Sequence, residues 1–432
     1  MKKIFVSILV CLMIVIPIQS VLGESKNLSN NNIEDRKNSV GLDVVELINQ
    51  VEEITAYTYL EQFVSFGPRP TGSKNCSDAA EYIHNEFEKL GLNSYIDNWR
   101  FPRYKCQNVI ATLNGTDPSS DAVFILCAHM DTTGNSPGAN DDGAGVAALL
   151  TIANICSKYT FNHTIRFLVT SGEENGLYGS HDYARKMYEQ NENIIAVLNL
   201  DAIGNNTEKG GNVVYLLKPE RSNWISSFIV EIAQVYYEHI NLTALPIANR
   251  GNDHQSFLNY GYDAVQFVQL ARGNYPLHTP EDTIEKVNFT YLVKVIKLIL
   301  ATTIILADKS IDLQVRIVTP KEGYLYLFNQ SILPQPKITL AGRKTRGLTF
   351  ILGRTTARIN ITTDEEINSV AYCINGRASF PGFYQEGPFE WVIQISAKLI
   401  PTFRKYTFSV YVCTTSGKIA YDEMDLFVLT LH

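Results

Sequence analysis

Two histidines, His129 and His278, and a set of carboxylates, Asp131, Asp141, Glu173, Glu174, Asp201 and Asp282, stand scattered along the chain, at or just beyond short apolar runs. Imidazole and carboxylate together suit a borderline cation such as zinc. Two such ions side by side need one carboxylate to bridge them, and each ion needs its own His and its own carboxylate. A further carboxylate that binds neither ion is free to carry a proton. The residue types therefore point to metal-assisted hydrolysis, provided the fold brings them together.

The apolar runs supply the means. Residues 123–150 read VFILCAHMDTTGNSPGANDDGAGVAALL: a buried strand over 123–128, an acidic Gly- and Pro-containing loop, then small and apolar residues at helical spacing. Further strands are predicted over residues 164–171, 194–200, 213–217 and 264–270. They alternate with helices over 178–190, 224–239 and 289–307. Ahead of them come helices over 44–66 and 78–90, and strands over 94–101 and 109–113. Alternation of this kind predicts an α/β unit with a mostly parallel sheet covered on both faces. In such a sheet, ligands bind beyond the carboxyl ends of the strands. His129, Glu173 with Glu174, Asp201 and His278 each follow one of those ends, and Asp141 lies in the loop after the first.

The remaining sequence bounds the rest. The 432 residues, 45% hydrophobic and 19% charged, call for two or three domains. A formal net charge of -7 with no basic patch excludes nucleic acid as a partner. Residues 1–23 read as a secretory signal peptide, with Lys2 and Lys3 before an apolar run and Val21-Leu22-Gly23 at the cleavage end; residues 24–43 read as a flexible leader. Of the remaining stretches, residues 292–306 come closest to a membrane span, but Lys294 and Lys297 interrupt them. The expectation is a secreted or cell-surface protein with no stable membrane association after cleavage. Sequons at Asn114, Asn162, Asn241 and Asn360 permit glycosylation. Beyond Cys11, six cysteines remain; Cys373 with Cys413 are the best candidates for a disulfide, Cys76 and Cys106 could also pair, and Cys127 and Cys156 read as buried thiols. From about residue 309 to 432 the pattern turns to short β-branched and aromatic runs, over 315–318, 324–327, 357–361, 369–374, 390–395, 406–413 and 425–429. That predicts a β-sandwich.

Taken singly, each motif is weak. His-x-Asp arises by chance, Asp141-Asp142-Gly143 fits an ordinary turn, and Glu173-Glu174 fits a helix start. Gly143-Ala144-Gly145 with Ala148 matches G-x-G-x-x-A, but it does not directly follow a strand and two carboxylates beside it would repel a pyrophosphate. His84 reads as a helix-face histidine. Taken together, the motifs fall in one order at equivalent sheet positions. The set His129-Met130-Asp131, Gly138-Ala139-Asn140-Asp141-Asp142-Gly143, Ser171-Gly172-Glu173-Glu174-Asn175-Gly176, Leu198-Asn199-Leu200-Asp201 and His278-Thr279-Pro280-Glu281-Asp282 resembles the co-catalytic zinc exopeptidases of the bacterial leucyl aminopeptidase and aminopeptidase Y type. Phe66-Gly67-Pro68-Arg69-Pro70-Thr71-Gly72 resembles that family's N-terminal signature.

The resemblance covers residues 44–308 and implies a three-layer α/β/α zinc exopeptidase domain holding two Zn2+ per chain. His129 and Asp201 would bind one ion, Glu174 and His278 the other, and Asp141 would bridge them beside a shared water. Glu173 would be the general base. Asp131 would orient His129 through its other ring nitrogen, and Asp282 would do the same for His278. A cis peptide between Asp141 and Asp142 is also implied. The activity implied is that of an aminopeptidase acting on peptides with a free N-terminus. Arg250, Asp253 and Tyr275 are candidates for holding substrate. Rival readings on the same scaffold are a glutaminyl-peptide cyclotransferase with one zinc, a carboxypeptidase or dipeptidase, and a non-enzymatic ectodomain. The 77 positions from Asp201 to His278 leave little room for an inserted lid domain. The C-terminal part resembles immunoglobulin-like accessory domains, on residues 320–327 and Gly387-Pro388-Phe389-Glu390-Trp391, and Trp391 reads as a core residue.

Overall fold

A computed structural model describes residues 43–308, apart from 119, 206–211, 219–221, 249–250 and 270–275, together with the C-terminal strands named below and a few residues beside them. The predicted signal peptide, 1–23, and leader, 24–43, lie outside the described residues except for Asp43, whose side chain accepts from the N–H groups of Val45 and Glu46. The chain divides into two compact units, Asn38–Lys309 and a second unit that includes Ser310–His432.

The first unit is built on an eight-stranded sheet: β1 Asn93–Phe101, β2 Tyr104–Leu113, β3 Val123–His129, β4 Thr164–Thr170, β5 Ile194–Leu200, β6 Val213–Lys218, β7 Thr243–Ala248 and β8 Ala264–Val268, in the order β1-β2-β4-β3-β5-β8-β6-β7. The centre, β4-β3-β5-β8, is parallel throughout. β3 and β5 are buried at every position, as a strand covered on both faces must be. The flanks are mixed: β1 and β2 form an antiparallel hairpin, β2 runs antiparallel to β4, and β6 runs antiparallel to β8.

Helices are α1 Val44–Asn49, α2 Glu53–Val64, α3 Lys74–Lys89, α4 Ala144–Cys156, α5 Tyr178–Glu189, α6 Asn223–Val235, α7 Tyr237–Ile240, α8 Asp253–Leu258 and α9 Phe289–Asp308. α1, α2, α4, α6 and α9 pack on one another as one layer, and α5 with α8 form the other. By length and composition α9 is apolar enough to cross a bilayer, yet its Leu292, Val295, Ile296, Ile299 and Leu300 are buried in this core. The single helix expected over 44–66 is two, because the chain turns at Gln50 and buries Val51 before α2 begins. β7 and α8 were not legible: β7 alternates poorly, with Leu245 exposed, and α8 is shorter than two full turns.

The second unit contains a seven-stranded sheet and a four-stranded sheet. The seven strands, in spatial order, are Gln330–Pro334, Tyr324–Leu327, Thr349–Leu352, Ile419–Leu429, Arg404–Thr414, Ile367–Ile374 and Arg377–Ser379. The four are Tyr384–Gln385, Glu390–Ile395, Thr355–Thr362 and Gln314–Thr319. Ala357, Ile359 and Ile361 from the smaller sheet share one core with Phe408, Val410, Met424 and Leu426 from the larger, which makes a sandwich. Residues 387–389 and the Trp391 side chain lie outside the described residues. The expected Cys373–Cys413 pairing is corrected by register. Cys373 faces Ser409 and Cys413 faces Ser369, so the two sit four positions apart along neighbouring strands. That separation is roughly 13 Å, beyond the reach of about 7 Å that a disulfide spans.

Candidate active site and metal centre

The carboxyl ends of β3, β4 and β5, with the loop after β8, put the dispersed ligands side by side. His129 closes β3, and its Nε2 lies 3.2 Å from Asp141 Oδ1 and 4.0 Å from Asp201 Oδ1. Across the same carboxylate, His278 Nε2 lies 2.9 Å from Asp141 Oδ2 and 3.3 Å from Glu174 Oε2. His129, Asp141 and Asp201 form one donor group, and Asp141, Glu174 and His278 form another, each with its ligand atoms within 4.8 Å of one another. Asp141 is the shared member and turns one oxygen toward each. His129 is 2% exposed, whereas the His278 side chain is 57% exposed on its loop and holds a positive φ of 60°.

Several groups hold these ligands in place. His129 Nδ1 lies 3.0 Å from the backbone carbonyl of Asp131. A carbonyl only accepts, so Nδ1 carries the proton and Nε2 presents its lone pair to the donor group. The Asp131 carboxylate is farther from the ring, at 3.7 Å; it accepts instead from Thr71 Oγ1 at 2.7 Å and from the Glu173 N–H at 3.2 Å. Asp131 thus orients His129 through its main chain, and its side chain ties down the Glu173 loop. Asp282 also differs from the expectation: its carboxylate accepts from the N–H groups of Asn140 and Asp141, at 2.9 and 3.1 Å, and so supports the bridging residue. The Asp141–Asp142 peptide is cis. Buried Asp142 accepts from the N–H groups of His129, Gly145 and Ala202, joining the ends of β3 and β5. A Cβ on Gly145 would lie 2.4 Å from the Asp142 carboxylate, so this glycine serves packing, not a phosphate.

Of the substrate-holding candidates, Asp253 is 1% exposed and accepts from Thr170 Oγ1 at 2.5 Å, so it is walled off beneath the sheet end and unavailable to a substrate. Nothing in the sequence marked the short helix α8 that buries it. Arg250 and Tyr275 lie outside the described residues. His84 bonds Ser94 Oγ at 2.9 Å on the face of α3.

Two supporting residues were missed. Asn252 donates from Nδ2 to Asp201 Oδ2 at 2.5 Å, fixing the free side of that ligand. Arg69 is fully buried, lies 4.2 Å over the Phe63 ring, and donates to the carbonyls of Gly67, Met130, Pro137 and Gly138. It clasps the whole loop between His129 and Asp141. Burial lowers its pKa to about 10, so it stays charged at neutral pH. Arg69→Ala would strand four carbonyls, and a loss of roughly 3 kcal/mol or more is expected in urea unfolding. A loss below about 1 kcal/mol would show that the loop holds itself.

The donor groups fit cations on the polar atoms they leave over. Glu174 Oε1 is buried without a hydrogen-bond partner, and buried His129 Nε2 faces only the carboxylates of Asp141 and Asp201, a costly state unless a ligand completes it. Without cations the carboxyls resist ionisation. Burial, helped by neighbouring carboxylates, raises Glu173 to about 9, Glu174 to about 7 and Asp201 to about 6. Burial opposes ionisation of Asp141 too, but His129 and His278 outweigh it and hold that carboxyl below its usual range. Between about pH 4 and 9 the metal-free native chain holds more protons at Glu173, Glu174 and Asp201 than the unfolded chain does, so its stability falls as pH rises. A chelated sample should therefore melt lower at pH 8 than at pH 5.5, and zinc should raise the midpoint more at pH 8. The reverse order in thermal scans would contradict this electrostatic picture.

A mostly parallel α/β/α sheet carrying His and carboxylate donor groups at its carboxyl edge defines a metal-dependent hydrolase. The sequence profile described as peptidase family M28 matches residues 108–303. A probable zinc metalloprotease of Pyricularia oryzae is 30% identical over 387 residues, covering 73% of this chain and 76% of the relative. The chain belongs to peptidase family M28. A second probable zinc metalloprotease, of Pyrenophora tritici-repentis, is 27% identical, and the match spans 52% of this chain but only 65% of that relative's length. Among solved structures, a zinc aminopeptidase from Bacillus subtilis shares the fold, with a TM-score of 0.53 at 18% identity, covering 60% of this chain and 96% of that one.

Proposed function

We propose that the chain is a secreted aminopeptidase that uses two zinc ions, with His129 and Asp201 holding one, Glu174 and His278 the other, and Asp141 spanning both. The observation that carries this reading is the pair of three-residue donor groups sharing a single carboxylate. Bound there, zinc would supply Lewis acidity toward a water and the scissile carbonyl.

The chain's own residues do the rest. Glu173 belongs to neither donor group, while its neighbour Glu174 belongs to one. Its main-chain N–H is pinned by Asp131, so its carboxylate stays beside the reacting centre without being consumed as a ligand. It takes a proton from the attacking water and gives it to the departing amine. Asp131, through its carbonyl, keeps Nε2 of His129 aimed at the first group, and Asn252 does the same for Asp201. The described residues between Asp201 and His278 form β6, α6, α7, β7, α8 and β8, all elements of the core layers. This favours an aminopeptidase over exopeptidases that carry an inserted domain. We read the C-terminal sandwich as an immunoglobulin-like accessory unit serving attachment, recognition or stability.

The test is zinc-dependent hydrolysis of matched free and N-acetylated peptides. Cleavage confined to free N-termini is expected. Cleavage of both sets, or of C-terminal residues, would overturn the aminopeptidase reading, and pyroglutamate formation from an N-terminal Gln peptide would replace it with the cyclotransferase.

A further inference from the structure

A pair of thiols lies directly behind the active-site loops and has no part in the hydrolysis. Cys76 Sγ and Cys106 Sγ are 3.6 Å apart, on residues 30 positions apart in the chain. Their backbones are held in place around them. Cys76 sits in the first turn of α3, where its N–H donates to Ser73 Oγ at 3.1 Å. The turn before it presses on β2: a Cβ on Gly72, at φ 79°, would lie 3.1 Å from the Lys105 carbonyl. Cys106 lies within β2, paired with Trp99 across the hairpin. The approach of the sulfurs is therefore set by a capped helix and a paired strand. All four of these core cysteines are free thiols, with Cys127 and Cys156 buried at β3 and α4.

We propose that Cys76 and Cys106 are a redox pair that closes into a disulfide by exchange with a small anionic disulfide such as oxidised glutathione. A cavity of about 370 Å³ opens beside β1 and β2, lined by Cys106, Trp99, Asn98, Gln107, Arg100 and Lys105. The two cations suit a carboxylate-bearing thiol reagent. Cys106 is 5% exposed and Cys76 0%, which sets the order of events. The Cys106 thiolate attacks one sulfur of the reagent, forming a mixed disulfide and releasing one glutathione. The Cys76 thiolate then attacks the Cys106 sulfur and releases the second. The two protons lost by the cysteines leave on the two glutathione thiols, and the reagent's disulfide is the oxidant. Contact with Cys76 and Ser171 holds the Cys106 thiol down at about 6, which assists the first attack.

The bond would brace the site. On one side, α3 follows the turn that carries Arg69 and Thr71. On the other, Gln107 accepts from Ser171 Oγ at 2.5 Å and Asn108 accepts from the Ser171 N–H at 3.2 Å, just ahead of Glu173. Closing a loop of this length should raise the thermal midpoint by roughly 5–10 °C.

The test incubates the intact chain with oxidised glutathione, blocks free thiols under denaturing conditions, and maps the peptides by mass spectrometry. Expected are a 2 Da loss, a cross-linked Cys76–Cys106 peptide pair, a raised midpoint, and reversal of all three by dithiothreitol. Cys76→Ala should trap glutathione on Cys106, and Cys106→Ala should abolish both adduct and shift. The wild-type map needs no variant to fold. Both cysteines recovered as thiols, or a lasting glutathione adduct on wild-type Cys106, would overturn the proposal. Neither outcome touches the hydrolase reading, which is assayed separately.

Discussion

Glu173→Gln is expected to lower turnover by a thousandfold or more, about 4 kcal/mol in the barrier, while zinc content stays at the wild-type level. The amide keeps the shape and removes only the capacity to take and return a proton. The two donor groups contain Glu174 and not Glu173, so the substitution leaves both ligand sets complete. The Glu173 N–H bond to Asp131 belongs to the main chain and survives as well, so the loop keeps its place. Steady-state kinetics on an aminoacyl anilide, paired with metal analysis of the same sample, separates the two effects. A loss below tenfold would remove Glu173 from the chemistry. A loss of metal along with activity would make it a ligand instead.

The second large effect falls on Asp141. It alone belongs to both donor groups, and each has only three members among the described residues. Asp141→Ala leaves His129 with Asp201 on one side and Glu174 with His278 on the other, two donors each. Both ions should be lost, and activity should fall to background. His278→Ala, by contrast, weakens one group only, so about one equivalent should remain. The exposures sharpen this. The His278 side chain is 57% exposed and His129 2%, so a chelator titration of the wild type should strip the His278 side first. Equal metal loss in Asp141→Ala and His278→Ala would show that Asp141 does not bridge.

How much of this was legible in the sequence depended on how local each signal was. The central strands end within a residue or two of their predicted limits, because a strand buried on both faces is a bare apolar run between polar breaks. His129, Asp141, Glu174, Asp201 and His278 could be placed at one sheet edge because parallel topology sends all those ends the same way. The edge was harder. β7 and α8 are short and weakly patterned, and without α8 Asp253 read as a substrate-holding candidate when it is sealed beneath Thr170. The roles of Asp131 and Asp282 were misread for a different reason. A carboxylate near a histidine suggests a side-chain contact, but the Asp131 carboxylate accepts from the Thr71 hydroxyl and the Glu173 N–H, the Asp282 carboxylate accepts from the Asn140 and Asp141 N–H groups, and the main-chain carbonyl of Asp131 orients the His129 ring. Arg69 escaped because its partners are four carbonyls, which carry no residue-type signal at all. In the second unit seven of the strands were visible from β-branched runs, but Gln330–Pro334, Thr349–Leu352, Arg377–Ser379 and Tyr384–Gln385 were not, and neither was register, which is what separates Cys373 from Cys413.

The account stands on two cations held side by side by the ends of one sheet. The most direct measurement is anomalous diffraction at the zinc edge from crystals of the intact chain grown with zinc. Two peaks are predicted, one among His129, Asp141 and Asp201 and one among Asp141, Glu174 and His278, with Asp141 touching both. A single peak, or two peaks that share no carboxylate, would contradict it.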